Sequence, residues 1–277
     1  MNTAKTYELT ADEILYLAAS LGIDTFYGVP DGLSGLTWQM LQMRIMELQD
    51  SLCRKEYMQP DFDGNNQTDR QLMEMLAVCG DGDGFICFES SMAGAAQTGY
   101  FYFIKGSRAY KMTPREDNDT YLFEPISPAR VRENILGAII WKETAPSQDA
   151  SFGILQTNLE KAARLAGRDA DSQAGEMLRE AGAGPAITQV ILDGMSRSAD
   201  FYSLFFYHTD TQKAPPRSIQ FLQGKILALL EYDTIRDEDS VTFRPTDREN
   251  LETLLGQSLD ALIPDIPAGE PDENQFT

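Results

Sequence analysis

The feature that most constrains the fold of this chain is an internal repetition. The segment YFYFIKGSRAYKM aligns with SIQFLQGKILALL, which places Gly106 and Gly224 at corresponding hairpin corners. Further along, FEPISPARVRENIL aligns with FRPTDRENLETLL, so that a Phe-x-Pro precedes a helical pattern in both copies. The shared order of elements indicates a duplication, with a first half at 1–150, a second half at 151–262 and a flexible acidic tail at 263–277.

Each half predicts helices, then a four-stranded antiparallel sheet, then one closing helix. The β-rich runs are GFICFESS, QTGYFYFIK, RAYKMTP and TYLFEPI, followed in the second half by DFYSLFFYH, RSIQFLQG, KILALLEYD and SVTFRPT. The predicted fold class is therefore α+β, with two quasi-twofold-related halves that pair their sheets in one unit. FYSLFF is apolar at both alternating sets of positions, which is typical of a strand covered on both faces.

Helix starts carry recognisable capping signals. Thr10 with Glu13 predicts a capping box at the first helix, and a second long helix is expected from about Leu33 to Cys53. Ser127 before Pro128 predicts another helix start. Thr246 with Glu249 predicts a capping box at the last helix.

Composition argues against several classes of function. The chain has 23 basic and 43 acidic residues, a net charge of -20, and an acidic surface repels nucleic-acid phosphates and anionic lipid. No apolar run is long enough to span a membrane, and the N-terminal residues lack the apolar core of a signal peptide. Three cysteines without metal-ligand spacing fit a reducing compartment. We therefore expect a cytoplasmic protein without membrane insertion or nucleic-acid binding.

Two short stretches resemble parts of thiamine-diphosphate enzymes, namely GIDTFYGVPDG at 22–32 and CGDGDGF at 79–85. In those enzymes an Asn pair follows the Gly-Asp-Gly and shares its Mg²⁺, whereas here Asn65 and Asn66 come before Asp81. His208 is the only histidine, and its place at the end of an apolar strand indicates a structural role. We predict no catalytic residue, no cofactor and no metal site.

The N-terminal YELTADEILYLAASLGI, followed by a glycine–proline stretch, resembles EspG-type proteins, the cytosolic chaperones of type VII (ESX) secretion. The likeness extends over roughly residues 5–262 in element order and duplication. It implies an EspG-like fold and a helical-hairpin secretion substrate as partner, whose apolar tip the chaperone covers. The chain is richer in Lys, Met and Asn than the actinobacterial members, which indicates a divergent Firmicutes branch with a different cargo.

The same resemblance implies where the partner binds. It points to the loop between the first two strands of the first sheet and to the helices at 171–197. The implied contact residues are Ser91, Met92, Gln97, Thr98, Met177 and Met195. Flexible thioethers suit adaptable surfaces, although methionines at these positions also suit core packing.

Three functions follow from these observations. The first is a chaperone or adaptor for helical-hairpin substrates. The second is a generic interaction protein or homo-oligomeric scaffold, with which a homodimer is compatible. The third, least favoured by the residues, is an enzyme of the thiamine-diphosphate type.

Overall fold

The computed structural model describes residues 5–60, 66–93, 97–115, 119–166, 171–210, 215–235 and 238–263. Three parts of the sequence-based predictions lie outside these ranges. They are the predicted tail after its first residue, positions 94–96 of the predicted contact loop, and Asn65. Among the helices of the described residues, none is both long and apolar enough to cross a membrane.

The described residues form eight α-helices and twelve β-strands. In the first part of the chain these are β1 (Tyr7–Thr10), α1 (Ala11–Ser20), α2 (Trp38–Arg54), β2 (Met58–Pro60), β3 (Asn66–Thr68), α3 (Arg70–Gly80), β4 (Gly84–Ser91), β5 (Thr98–Lys105), β6 (Arg108–Pro114), β7 (Thr120–Ile126) and α4 (Pro128–Ala138). The second part contains β8 (Phe152–Leu155), α5 (Gln156–Ala166), α6 (Asp171–Glu180), α7 (Pro185–Met195), β9 (Asp200–His208), β10 (Arg217–Gln223), β11 (Leu227–Ile235), β12 (Glu238–Thr246) and α8 (Arg248–Leu262).

Ten of the strands form one continuous sheet in the order β1-β7-β6-β5-β4-β9-β10-β11-β12-β8. Every neighbouring pair is antiparallel, and β4 joins β9 from Gly84 opposite His208 to Ser91 opposite Phe201. The predicted mixture of helices with antiparallel strands is confirmed. The expected four-stranded sheets are not found as such: β1 and β8 each add an outer strand, and the pairing of β4 with β9 joins all ten strands edge to edge. This pairing satisfies backbone groups that two separate sheets would leave exposed at their edges.

Three apolar cores lie on the two faces of the sheet. On one face α4 and α8 cover the central strands, where Phe88, Tyr202 and Phe221 are almost fully buried. Side chains alternate between faces along a strand, so the neighbouring residues point to the opposite side. There, α1, α2 and α3 cover one end of the sheet, and α5, α6 and α7 cover the other end. The middle of this second face therefore lies between two groups of helices.

The helix starts follow the sequence signals, with two shifts. Thr10 and Glu13 form the predicted capping box, and Ser127 caps α4 with Pro128 at its first position. α2 begins at Trp38, later than predicted, because the Thr37 side chain accepts from the backbone of the first turn. The predicted capping box at Thr246 is wrong: Asp247 caps α8, and the amide of Asn250 donates to its carboxylate.

An aspartate from the segment between α4 and β8 caps α7 from a distance. The amides of Ala186 and Ile187 donate to Asp149 Oδ2 over 2.8 and 2.9 Å. Gly184, the residue before the helix, has no side chain to cap it, and a Cβ there would lie 2.4 Å from the Asp149 carboxylate. Asp149 therefore satisfies two amides and places a negative charge at the positive end of the helix dipole.

We expect Asp149→Ala to lower the free energy of unfolding by about 1 to 2 kcal/mol, because both amides lose their acceptor. Asp149→Asn keeps an acceptor oxygen without the charge, so it is expected to lose less than half of that amount. Urea titration of the three proteins measures the effect. A loss no larger for Ala than for Asn would show that the cap contributes little.

Candidate partner-binding groove

An apolar groove of about 430 Å³ lies between α5, the end of α7 and the sheet, on the second face. One wall comes from α5, through residues that include Leu159 and Ala163, and the other from the end of α7 at Met195. Strand residues form the floor. The full lining is Ser91, Gln156, Leu159, Glu160, Ala163, Ile191, Gly194, Met195, Arg197, Phe201, Leu222, Leu230, Tyr232, Val241 and Phe243.

Strand register creates the floor of the groove. Ser91 on β4 is opposite Phe201 on β9, which is in turn opposite Leu222 on β10. Gly194 brings the end of α7 close to this row, since a Cβ at that position would lie 3.0 Å from the Leu222 side chain. The row continues the core beneath α5, α6 and α7 out to the surface. The groove is thus an incompletely covered part of that core.

The rim combines aromatic and charged groups. Tyr232 on β11 keeps 55% of its surface exposed beside the apolar floor. Glu160 on α5 and Arg197 after α7 are also exposed. An apolar floor with a polar rim is the usual anatomy of a protein–protein contact.

Asp200 holds the start of the β4–β5 connection beside the groove. Its carboxylate is only 1% exposed, at the first position of β9. The backbone amide of Ala93 donates to Oδ1 over 2.9 Å, and Lys142 Nζ lies 2.5 Å from Oδ2. A buried carboxylate needs such partners, because leaving its charge unpaired is costly. The first residues after β4 are therefore fixed in position by a charged group beneath them.

Two of the six predicted contact residues line the groove, namely Ser91 and Met195. Met92 is half-buried just after β4, while Gln97 is exposed, and Thr98 Oγ1 lies 2.8 Å from Ser90 Oγ at the start of β5. Met177 on α6 is half-buried against the core and is not part of the lining. The structure thus gathers Ser91 and Met195 and leaves Met177 apart from them.

The floor and rim residues Phe201, Tyr232 and Leu159 did not emerge from the sequence. The signal that could have identified Phe201 is the FYSLFF run, in which both alternating sets are apolar. That run predicts that β9 is covered on both faces, and the prediction is correct for one face only. Tyr202, Leu204 and Phe206 are buried under α4 and α8, whereas Phe205 on the other face is 37% exposed.

A strip of half-exposed side chains lies further along the same face of β4 and β9, beyond the facing pair Glu89 and Ser203. Cys87 is opposite Phe205 across this strand pair and opposite Phe101 on β5. Tyr27 lies at the end of the strip, with its ring centroid 4.5 Å from that of Phe85. Burial, with a smaller contribution from Glu89, raises the pKa of the Cys87 thiol to about 12, so the side chain is neutral and unreactive at neutral pH.

The Gly-Asp-Gly at 80–82 serves the packing of a turn. A Cβ on Gly82 would lie 2.5 Å from the Val78 carbonyl oxygen, so the backbone requires glycine there. Asp81 is 86% exposed and pairs with Lys105 Nζ at 3.0 Å. The next aspartate, Asp83, accepts from the Gly106 amide at the facing hairpin corner. These contacts give the Gly-Asp-Gly motif a structural role in this turn.

His208 ends β9, and its Nδ1 accepts from the backbone amide of Asp210 over 3.0 Å. It lines a separate cavity of about 390 Å³ with Phe206, Pro216 and Leu262. Across the part of the chain that the structure describes, no group of three or more His, Cys, Asp or Glu side chains is placed to hold a metal ion.

Comparison with known proteins finds similarity among solved structures. No family model and no curated protein matches the sequence. Among solved structures, the chain is similar to the type VII secretion system chaperone EspG5 of Mycobacterium tuberculosis, whose structure is in complex with a PE25–PPE41 dimer. The match covers 96% of this chain and 98% of that chain, with a TM-score of 0.52 and 11% sequence identity. The EspG-type resemblance predicted from the sequence is confirmed at the level of the fold.

Proposed function

We propose that this protein is a cytosolic chaperone or adaptor that binds a helical-hairpin substrate of a type VII secretion system and covers its apolar tip. The observation that carries the proposal is the apolar groove, whose lining includes Ser91 at the end of β4. Support also comes from EspG5 itself, which binds a PE25–PPE41 dimer. Because a fold shared at 11% sequence identity does not identify the cargo, the kind of cargo is inferred from the groove.

The shape and chemistry of the groove favour a helical tip. Its floor is formed by Phe201, Leu222 and Phe243, and Met195 borders it. An apolar turn of a helical hairpin matches a concave apolar surface of this size, and transfer of its side chains from water drives the contact. The half-exposed strip along β4 and β9 would receive the flank of the same hairpin. The charges of Glu160 and Arg197 at the rim would then fix its orientation.

The proposal includes the duplicated plan predicted from the sequence, with modules at 1–150 and 151–262. The strand order supports this plan. Read from either edge of the sheet inward to the β4–β9 junction, each side has an outer strand (β1 or β8), followed by the fourth, third, second and first strands of a four-strand run. Superposition of the two halves tests it. A common arrangement of five strands and the helix that follows them is the expected result, and unrelated helix positions over matched strands would contradict it.

Co-expression tests the chaperone function directly. The tagged full chain is produced together with small helical-hairpin proteins encoded beside it, and the soluble fraction is purified. We expect a hairpin that is insoluble alone to become soluble in a stoichiometric complex. The matched control is the same hairpin with its apolar tip residues replaced by serine, which is expected to lose the complex. Equal binding of both hairpins would overturn tip shielding, and no complex with either would overturn the proposed function.

A further inference from the structure

The helices at the two ends of the second face leave the middle of the sheet partly open. α3 packs on β5 and β6, and α7 packs on β10. On the two strands between them, the side chains that point to this face are half-buried or exposed from Cys87 to Ser91 on β4 and from Phe201 to Phe205 on β9. The distance from β5 to β10 is about 14 Å, or three strand spacings. This opening, which we call the trough, is therefore wide enough for one helix, whose diameter with side chains is about 10 to 12 Å.

The floor of the trough is polar in the middle and apolar at both ends. Side chains two positions apart on a strand point to the same face. On β9 these are Phe201, Ser203 and Phe205, and Glu89 on β4 lies opposite Ser203. The floor thus changes from apolar to polar and back to apolar over about 13 Å. Phe201 belongs to the groove lining and Phe205 to the strip, so the polar step at Glu89 separates the two apolar surfaces.

Glu89 has no cationic partner among the residues that the structure describes. Its side chain is half-buried, and its charge contributes to the raised pKa of the Cys87 thiol beside it. Across the other strand pair, Gly99 of β5 lies opposite Glu89. A Cβ at position 99 would lie 3.7 Å from Glu89 Cγ, so the glycine leaves this flank of the side chain uncovered. The carboxylate is thus open to a group from outside the chain.

Two buried acids elsewhere in the chain show how such charges are compensated. Glu13 is 1% exposed and lies 2.6 Å from Lys55 Nζ, and Asp200 has Lys142 as its partner. Burial removes part of the hydration of a carboxylate, and a nearby cation replaces the lost stabilisation. Glu89 is not compensated in this way by the described residues. A cation supplied by a bound partner would complete the arrangement.

We propose that the trough binds one arm of the helical hairpin and that a lysine or arginine of this arm pairs with Glu89. The inference rests on the proposed chaperone function and adds the chemistry of the cargo to it. Apolar side chains of the arm cover Phe201 and Phe205, and the cation between them covers the polar step. The net charge of -20 also attracts a basic segment before contact is made.

The spacing of the floor predicts the sequence of the arm. Along β9 the distance from Phe201 to Ser203 is about 7 Å, and the distance from Phe201 to Phe205 is about 13 Å. A helix that lies along the strands rises about 1.5 Å per residue. The cation is therefore expected about four to five residues from the apolar side chain that enters the groove, and a second apolar side chain about eight to nine residues from it. Positions with this spacing share one face of a helix.

Affinity for the hairpin protein captured by co-expression tests the pairing. Glu89→Gln removes the charge and keeps the size, and we expect the dissociation constant to rise about tenfold. Glu89→Lys places two cations together and is expected to raise it about thirtyfold. The matched control is Glu124→Gln, which makes the same change at a half-buried residue of β7 on the opposite face of the sheet. This control is expected to bind within about twofold of the wild type, because its charge lies away from the trough.

Charge exchange identifies the cation. Each lysine and arginine within about three turns of the hairpin tip is changed to glutamate, one at a time, and tested against the wild-type chain and Glu89→Lys. At one position we expect the reversed charge to weaken binding to the wild type and to strengthen binding to Glu89→Lys by about tenfold. If Glu89→Gln binds as tightly as the wild type, or if no exchange restores binding, the pairing is wrong while the chaperone function stands. Absence of any complex with the wild-type chain would contradict the chaperone function and the pairing together.

Unfolding of the free chain gives a readout that needs no partner. Because no cation among the described residues holds Glu89, the urea midpoint of Glu89→Gln is expected to equal or exceed that of the wild type. Circular dichroism confirms that the variants of Glu89 and Glu124 fold. A clear fall in the midpoint of Glu89→Gln would show that the carboxylate is held within the chain, and this result would overturn the proposal.

Discussion

Asp200→Ala is expected to lower the free energy of unfolding by about 3 kcal/mol, because it removes one partner of a buried ion pair. The substitution leaves Lys142 Nζ without the carboxylate 2.5 Å away and the Ala93 amide without its acceptor. Lys142 is 46% exposed and recovers part of its hydration, which keeps the loss near the lower end for such pairs. Urea denaturation measures the change in stability. Hydrogen exchange at Ala93 is expected to accelerate more than exchange in the centre of β4.

The chain contains a matched control for this prediction. Asp81 and Lys105 form another Asp–Lys pair, but Asp81 is 86% exposed. Asp81→Ala is therefore expected to change stability by less than about 0.5 kcal/mol, since solvent screens exposed ion pairs. Asp200→Asn keeps an acceptor for Ala93 and loses the charge, which separates the hydrogen bond from the ion pair. Equal effects of Asp200→Ala and Asp81→Ala would show that burial of Asp200 does not matter.

Much of the fold was readable from local patterns, because strands and helix starts here depend on neighbouring residues. A run of β-favouring residues between Gly and Ser gave β4 its bounds, and Thr10 with Glu13 gave the start of α1. The pairing of β4 with β9 was not readable, since it joins segments more than a hundred residues apart. Short strands such as β8 were also missed. Their four residues carry too little periodicity to stand out from the helix that follows.

The candidate groove was only partly readable for a related reason. Ser91 and Met195 were named through family resemblance, and both line it. Tyr232 was not named, because an exposed tyrosine on a strand has no signal of its own. Its significance comes from Leu230 and Phe243 beside it, which β11 and β12 bring together through strand pairing. A surface assembled from two helices and five strands can be recognised only once those elements are in place.

Tyr232→Glu is expected to weaken capture of a helical-hairpin partner at least a hundredfold. The new carboxylate would stand where the apolar tip is proposed to bind, so that complex formation would bury an unpaired charge. About 3 kcal/mol of lost affinity corresponds to that factor. Folding is expected to be retained, because Tyr232 is 55% exposed. Isothermal titration or quantitative pull-down against the co-expressed hairpin measures the loss.

Two variants separate the charge from the position. Tyr232→Phe keeps the ring at the rim and is expected to bind within about threefold of the wild type, a difference below 1 kcal/mol. Met43→Glu introduces the same charge on an exposed side chain of α2, away from the groove lining, and is expected to retain partner affinity. Undiminished binding by Tyr232→Glu would remove the groove as the contact, even if a partner is captured. Equal losses in both glutamate variants would instead attribute the effect to added negative charge on a chain that already carries -20.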